Sequence, residues 1–289
     1  MDKGSEIGNF LAALGLDEEP MGMYYTDIEP EQGTSPDKKA LPTAEQEAKG
    51  EVNFGAVFAN FSCVIGKIWL ARKKKTAAYF DSEHYGCLGG AFYLGFLKPQ
   101  LETVARFIST GIPGRMEGEH YFESPEVSRN FFATIDPRPA PARFCVFKPM
   151  SLLSESEAPE VVTFFARPEI ISGLNQLAVF VTNDFEAVAS PFGAGCTNLV
   201  SWPLRYLSQG KLKAVLGGWD PSERKFLKPD EITFSVPYEM FGRMVARWPE
   251  SFLKTDTWTN IKKRIALSKK KWGETATFHP PEESVRSKV

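Results

Sequence analysis

The sequence predicts a mixed α/β (α+β) fold: one globular domain, a mixed sheet with flanking helices, built from two related halves. Three observations carry this expectation. Runs rich in Val, Ile, Phe and Tyr alternate along the chain with segments of helical apolar period. The alternation keeps no Rossmann register, because neither glycine-rich stretch has G-x-G-x-x-G spacing. Finally, "YGCLGGAFYLGF" (85–96) echoes "FGAGCTNLVSWPLRYL" (192–207). Each runs aromatic, glycine, cysteine and then an apolar helix-like segment, and the echo aligns Cys87 with Cys196. The domain is expected to span 1–272, with 273–289 as a tail.

"SEIGNFLAALGL" reads as a short amphipathic helix, with Ser5 as cap and Gly15 near its end. "MGMYYTD" follows as a strand. Residues 28–50 are polar and rich in Pro, Gly, Lys and Glu, a surface loop or insertion. From Phe54 the chain turns helical, with Phe61, Val64, Ile65, Ile68 and Trp69 on one face. Arg72–Lys75 sit at its end, where cations complement the helix dipole. A strand over 76–80 precedes the glycine-flanked Cys87. Helices follow over 99–111 and 124–135, the second with Ser124 as cap and Pro125 at its first position. Strands over 143–150 and 160–166 lead to a helix opened by Pro168. Residues 185–196 run from a strand into a glycine turn, and Pro203 shortens or kinks the helix beyond it. Strands over 211–217 and 231–237, a helix over 238–248 and a basic helix from Asp256 or Thr257 complete the chain.

Composition narrows the function. Hydrophobic residues make up 43 % of the 289 positions, enough for a core without disulfides. The 23 phenylalanines against eight tyrosines favour a dry interior or apolar pocket. A net charge of −2 exerts no pull towards nucleic acid or anionic membrane. "RKKK" and "SKKKW" read as solvated helix ends. The N-terminus lacks a signal-peptide pattern, and no stretch approaches the ~18 apolar residues of a membrane helix. A cytoplasmic protein with reduced cysteines is expected, without nucleic-acid or membrane partners.

The four cysteines are Cys63, Cys87, Cys145 and Cys196. No C-x-x-C occurs, so zinc-ribbon, ferredoxin and thioredoxin patterns are absent. Cys87 and Cys196 stand beside glycine at expected helix starts, where unpaired N–H groups stabilise a thiolate. Gly89, Gly90 and Gly195 allow a bulky group to approach the backbone. Cys63 falls on an apolar helix face with Lys67 one turn later, and Cys145 reads as a strand-core residue. Taken singly, each cysteine reads more readily as a small buried hydrophobe than as a ligand or nucleophile. His84, three residues before Cys87, is a base for that thiol, a fourth ligand, or an exposed turn residue. In "GGWDPSERKFLKPDE", Asp220 and Pro221 make a turn, and Arg224 is either part of a polar loop or an anion clamp. Walker A, G-x-S-x-G and H-E-x-x-H motifs are missing.

Read in order, "EEPMGMYYTD", "FSCVIGKIWLARKKKTAAYFDSEHYGCLGGAFYLGF", "APEVVTFFARPEIISGLNQLA", "FGAGCTNLVSWPL" and "AVLGGWDPSERKFLKPDEITFSVPYEMF" resemble the domain of unknown function 169 family of anaerobic bacteria and archaea. "ESFLKTDTW" fits its longer members. The resemblance implies that Cys63, Cys87 with Gly89–Gly90, and Cys196 occupy recurring cysteine positions, and that Cys145 does not. A shared site for the three is thereby implied; a reaction is not.

The leading expectation is an iron–sulfur protein. Cys63, Cys87 and Cys196 would hold a [4Fe–4S] cluster with one iron open, and His84 is the candidate fourth ligand. Asp220 and Arg224 would shape the polar side of a small-molecule pocket. Two readings stand beside it: a non-enzymatic binder of a tetrapyrrole or corrinoid, and a cluster-free enzyme with Cys87 as nucleophile. A small-molecule ligand, a redox partner protein and a homo-oligomer are the partners considered.

Overall fold

The structure, a computed structural model, describes residues 3–16, 18–41, 43–49, 51–53, 62–97 and 102–275. The chain divides into two compact units, residues 1–247 and 248–289. The first unit is built on one eight-stranded mixed sheet, which confirms the expected class. Its strands are β1 (Met21–Thr26), β2 (Gly33–Thr34), β3 (Ala77–Phe80), β4 (Phe144–Pro149), β5 (Val161–Ala166), β6 (Val188–Ala189), β7 (Ala214–Gly217) and β8 (Ile232–Pro237). They lie in the order β2-β3-β4-β1-β5-β8-β7-β6.

That order is two copies of one arrangement. Counted outwards from the centre, the first half reads β1, β4, β3, β2 and the second reads β5, β8, β7, β6. In each half the inner pairings are antiparallel and the outermost is parallel. β1 and β5 meet antiparallel at the centre, with Met21 opposite Thr163 and Met23 opposite Val161. The two halves are therefore related by an approximate twofold through the middle of the sheet.

The helices described in this unit are α1 (Lys3–Leu14), a short α2 (Ala44–Ala48), α3 (Val64–Lys74), α4 (Leu88–Tyr93), α5 (Glu102–Phe107), α6 (Pro125–Ile135), α7 (Pro168–Thr182), α8 (Trp202–Ser208) and α9 (Tyr238–Arg247). Strand alternation sorts the core into two faces. On one face Phe80, Cys145, Phe147, Val161 and Phe165 pack under α3, α4 and the segment leading into α8. On the other, Phe164 meets Phe10 of α1 edge-on at 6.4 Å, and Phe241 of α9 lies 6.0 Å from it. α3 is tied down by Arg72, which is almost fully buried and lies 3.9 Å over the Phe165 ring. It donates to Glu18 at 2.6 Å and to Glu231 at 2.8 Å.

Local expectations mostly hold. Ser124 caps α6 through Val127 N–H, Pro168 opens α7, and Cys145 is fully buried in β4. Three differ. The expected helix from Phe54 begins at Val64, with Cys63 as its extended N-cap and not on a helix face; residues 54–61, including Phe61, lie outside the described set. Residues 28–50 hold the β2 edge strand and α2 as well as loop. The internal echo is out of register. Cys196 lies between β6 and β7 and Cys63 between β2 and β3, so topology pairs Cys196 with Cys63, not with Cys87.

In the second unit, α10 (Asp256–Thr275) carries the basic run, and Trp258 packs edge-on against Phe252 at 5.0 Å. The helix extends past 272 to Thr275, and residues 276–289 lie outside the described set. Among the described residues no helix is long and apolar enough to cross a membrane.

Candidate functional site

Three helix starts converge on one face of the sheet. Cys63 is the N-cap of α3 and Cys87 the N-cap of α4. Cys196, itself helical at φ −61°, lies in the first turn of a helical run that opens at Gly195 and passes through a π-helical turn, Thr197–Ser201, into α8. Pro203 stands in the first turn of α8 and has no N–H, which suits the irregular ladder before it. The Ser201 hydroxyl donates to Tyr93 O at 2.8 Å and ties this turn to α4. Gly86, at φ +78°, lets the two half-one segments touch. A Cβ there would lie 2.2 Å from Ser62 O, so only glycine brings residues 62–63 and 86–87 together.

As a result Cys63, Cys87 and Cys196 line a single cavity of about 120 Å³. Gly89, Gly90 and Gly195 lie in its wall. Asp220 and Glu223 complete it from the loop after β7. Under the twofold this loop is the counterpart of the loop after β3 that carries Cys87. Each half thus supplies a cysteine at a helix start before its third strand. After that strand one half supplies a thiol and the other two carboxylates. Among the described residues, no group of three or more His, Cys, Asp and Glu side chains is arranged to hold a metal ion.

Glu223 is 1 % exposed, and neither carboxylate oxygen has a hydrogen-bond partner in bonding geometry. It rests directly on Gly195: a Cβ at residue 195 would lie 1.6 Å from Glu223 Oε2. Burial first, and then the charge of Asp220, push its carboxyl up to about 7. The main-chain N–H groups of Asp220 and Gly218 and the charge of Arg224 offset this only in part.

The thiols share this excess of acid. Burial raises Cys63, and Glu223 and Asp220 add to the effect, against the N–H groups of Gly66 and Ile65. Cys87 is pushed up to about 12 by burial and by Cys63. Gly90 N–H, 3.2 Å from its sulfur, and the charge of Lys39 resist that rise. Cys196 is held well above the usual thiol range by burial, by the other two thiols and by the same two carboxylates. Each thiol therefore feels its neighbours, and all three are protonated at neutral pH unless a cation enters.

A wider cleft of about 480 Å³ opens beside this cavity. Tyr93, Ile108, Glu119, Ala194 and Asp220 line both. Its outer wall carries Tyr121, Phe192 and Trp219, all substantially exposed. Trp219 Nε1 donates to Ser190 Oγ at 3.0 Å, and Phe192 packs on Phe122 and Phe131. Glu119 is half-buried, and burial and Asp220 push it up to about 7.

Of the residues singled out from sequence, Cys63, Cys87, Cys196, Gly89, Gly90, Gly195 and Asp220 share one cavity wall. Two lie elsewhere. His84 Nδ1 is 3.0 Å from Asp81 Oδ1, and the ring does not line the cavity. Arg224 donates to four main-chain carbonyls, of Gly218, Lys228, Pro229 and Glu231, and so serves as the internal brace of its loop. Glu223 and Glu119 were not anticipated. Glu223 lies three residues after Asp220, but nothing in a polar loop announces which carboxylate turns inwards.

Fold and site together define a two-half α/β protein with a thiol- and carboxylate-lined cavity on the face where the halves join. The chain belongs to the family described as DUF169, uncharacterised ArCR, whose model matches residues 9–247. No curated protein and no solved structure matches the chain.

Proposed function

We propose that the three-cysteine cavity holds an iron–sulfur cluster with one coordination position left open, and that a small molecule reaches it through the outer cleft. One observation carries this reading: cysteines from three separate segments line one buried cavity. The donor chemistry fits. Thiolate is the preferred ligand of iron–sulfur centres, and a cationic core would lower thiols that burial now holds protonated. Around a single tetrahedral ion, sulfurs at ~2.3 Å from the metal stand about 3.8 Å apart. A cluster interposes its own irons and sulfides, so its cysteines stand farther apart than that. Glu223 and Asp220 line the same cavity and would be the residues nearest the open position. The cluster would supply redox or Lewis-acid chemistry; in the redox case a partner protein would exchange the electrons.

The alternative with Cys87 as nucleophile has less support, because that thiol is pushed up to about 12 and His84 is bonded to Asp81. The test is anaerobic purification with an absorption spectrum and iron and sulfide assays. The reading expects a broad shoulder near about 400 nm and roughly four irons and four sulfides per chain. Cys63→Ser, Cys87→Ser and Cys196→Ser should each lower both, and Cys145→Ser should not. A sharp Soret band would replace the cluster with a tetrapyrrole. Iron content indifferent to the three substitutions would end the proposal.

A further inference from the structure

The outer cleft has a composition that selects its ligand. Four aromatic side chains line it, Tyr93, Tyr121, Phe192 and Trp219, together with the carboxylates of Glu119 and Asp220. Among the described residues, no Lys, Arg or His lines either this cleft or the cysteine cavity behind it. Glu223, buried and without a hydrogen-bond partner, faces that inner cavity. Three carboxylates therefore surround one connected space without a counter-charge in its wall.

We propose that this cleft binds an organic ammonium ion, its charge placed between the aromatic walls and the Glu119–Asp220 pair. Each component of the wall favours that class. Aromatic faces attract a diffuse cation, and more strongly in a partly dry site. The carboxylates repel anions. A hydrated inorganic cation would need six or more oxygen ligands, and the mostly apolar wall does not supply them. A ligand with apolar substituents around its charge satisfies the rings and the acids at once. The cleft volume is that of an ordinary small-molecule site. Because Glu119 and Asp220 line both cavities, the bound charge sits at the entrance to the three cysteines. The proposal rests on the cluster reading only for what happens to the ligand after it binds.

The experiment is titration calorimetry at pH 8 with two probes of one shape, choline and the uncharged 3,3-dimethylbutan-1-ol. Choline is expected to bind at least about ten-fold more tightly, the discrimination that a partly desolvated cation–aromatic contact supplies. Asp220→Asn, Glu119→Gln and Trp219→Ala should each weaken choline several-fold with an unchanged circular dichroism spectrum. The two carboxamide variants should leave the alcohol where it was. Equal affinity for the two probes, binding of neither, or choline binding untouched in the Asp220→Asn/Glu119→Gln double variant would overturn the proposal. Pairing the titration with iron and sulfide assays on the parent protein separates the two ideas. Choline binding by a parent chain that holds no iron after anaerobic purification sinks the cluster alone; iron without choline discrimination sinks the ammonium site alone.

Discussion

Glu223→Gln is the sharpest probe of the cavity, because its effect changes with pH in a way packing cannot imitate. The carboxyl has a pKa of about 7 in the folded protein against 4.5 for the ordinary value. A raised carboxylate binds its proton more tightly folded than unfolded, so the protein loses stability as pH rises from 4.5 through 7. Fully expressed, that rise from 4.5 to about 7 costs about 3 kcal/mol above pH 7. At pH 5 less than about 1 kcal/mol has been lost. Glutamine keeps the shape and has no proton to lose. Without cofactor or ligand, Glu223→Gln should therefore gain about 2–3 kcal/mol over the parent between pH 5 and pH 8. For a unit of this size that is a rise in Tm of roughly 5–10 °C at pH 8. Thermal unfolding of both proteins at the two pH values reads it directly. A Tm difference that is the same at both values, or a variant less stable at pH 8, would refute a desolvated carboxyl at this position. Under anaerobic conditions with iron and sulfide the proposed cluster would change its spectrum on the same substitution, since Glu223 lines the cavity of the three cysteines.

Gly195→Ala places a methyl group 1.6 Å from Glu223 Oε2 and 2.7 Å from Ile65 Cγ1. Overpacking of that kind costs about 1–3 kcal/mol, so Tm should fall by about 2–12 °C, and calorimetry decides; an unchanged Tm would mean the carboxylate has room to retreat. Arg72→Leu should cost about 3–5 kcal/mol in urea unfolding, because it removes the guanidinium bonded to the nearly buried Glu231 and leaves only the exposed Lys228 ammonium, 3.7 Å away. Arg72→Leu with Glu231→Leu should lose less than Arg72→Leu alone; an equal or larger loss would place the effect in packing against Phe165 instead.

Much of the fold was legible because each half of the sheet is built from locally coded pieces. Val161–Ala166 is apolar at every position but Thr163 and became a strand buried on both faces. Ser124 with Pro125, and Pro168, set helix starts through short-range hydrogen bonding and fixed φ. The same local logic placed Cys87 at a helix start. It failed for Cys63, where helical spacing continued through Phe61 while the helix begins only at Val64. It failed again for the internal echo. The composition of "YGC" and "FGAGC" is similar, but strand order, not residue type, decides which segments correspond.

The sequence alone determined the alternation of strands and helices, the absence of paired-cysteine motifs, and the glycines that permit close approach around Cys87 and Cys196. Those features depend on periods, caps and missing side chains, all local properties of the chain. Only the tertiary structure decided that Cys63, Cys87 and Cys196 face one cavity, and that Arg224 turns to main-chain carbonyls instead of a ligand. It also decided that Glu223, one acid in a polar loop, is sealed against Gly195. The reason is physical. Convergence and desolvation depend on which segments the pseudo-twofold sheet brings together, and that pairing spans more than a hundred residues, beyond the reach of any local pattern.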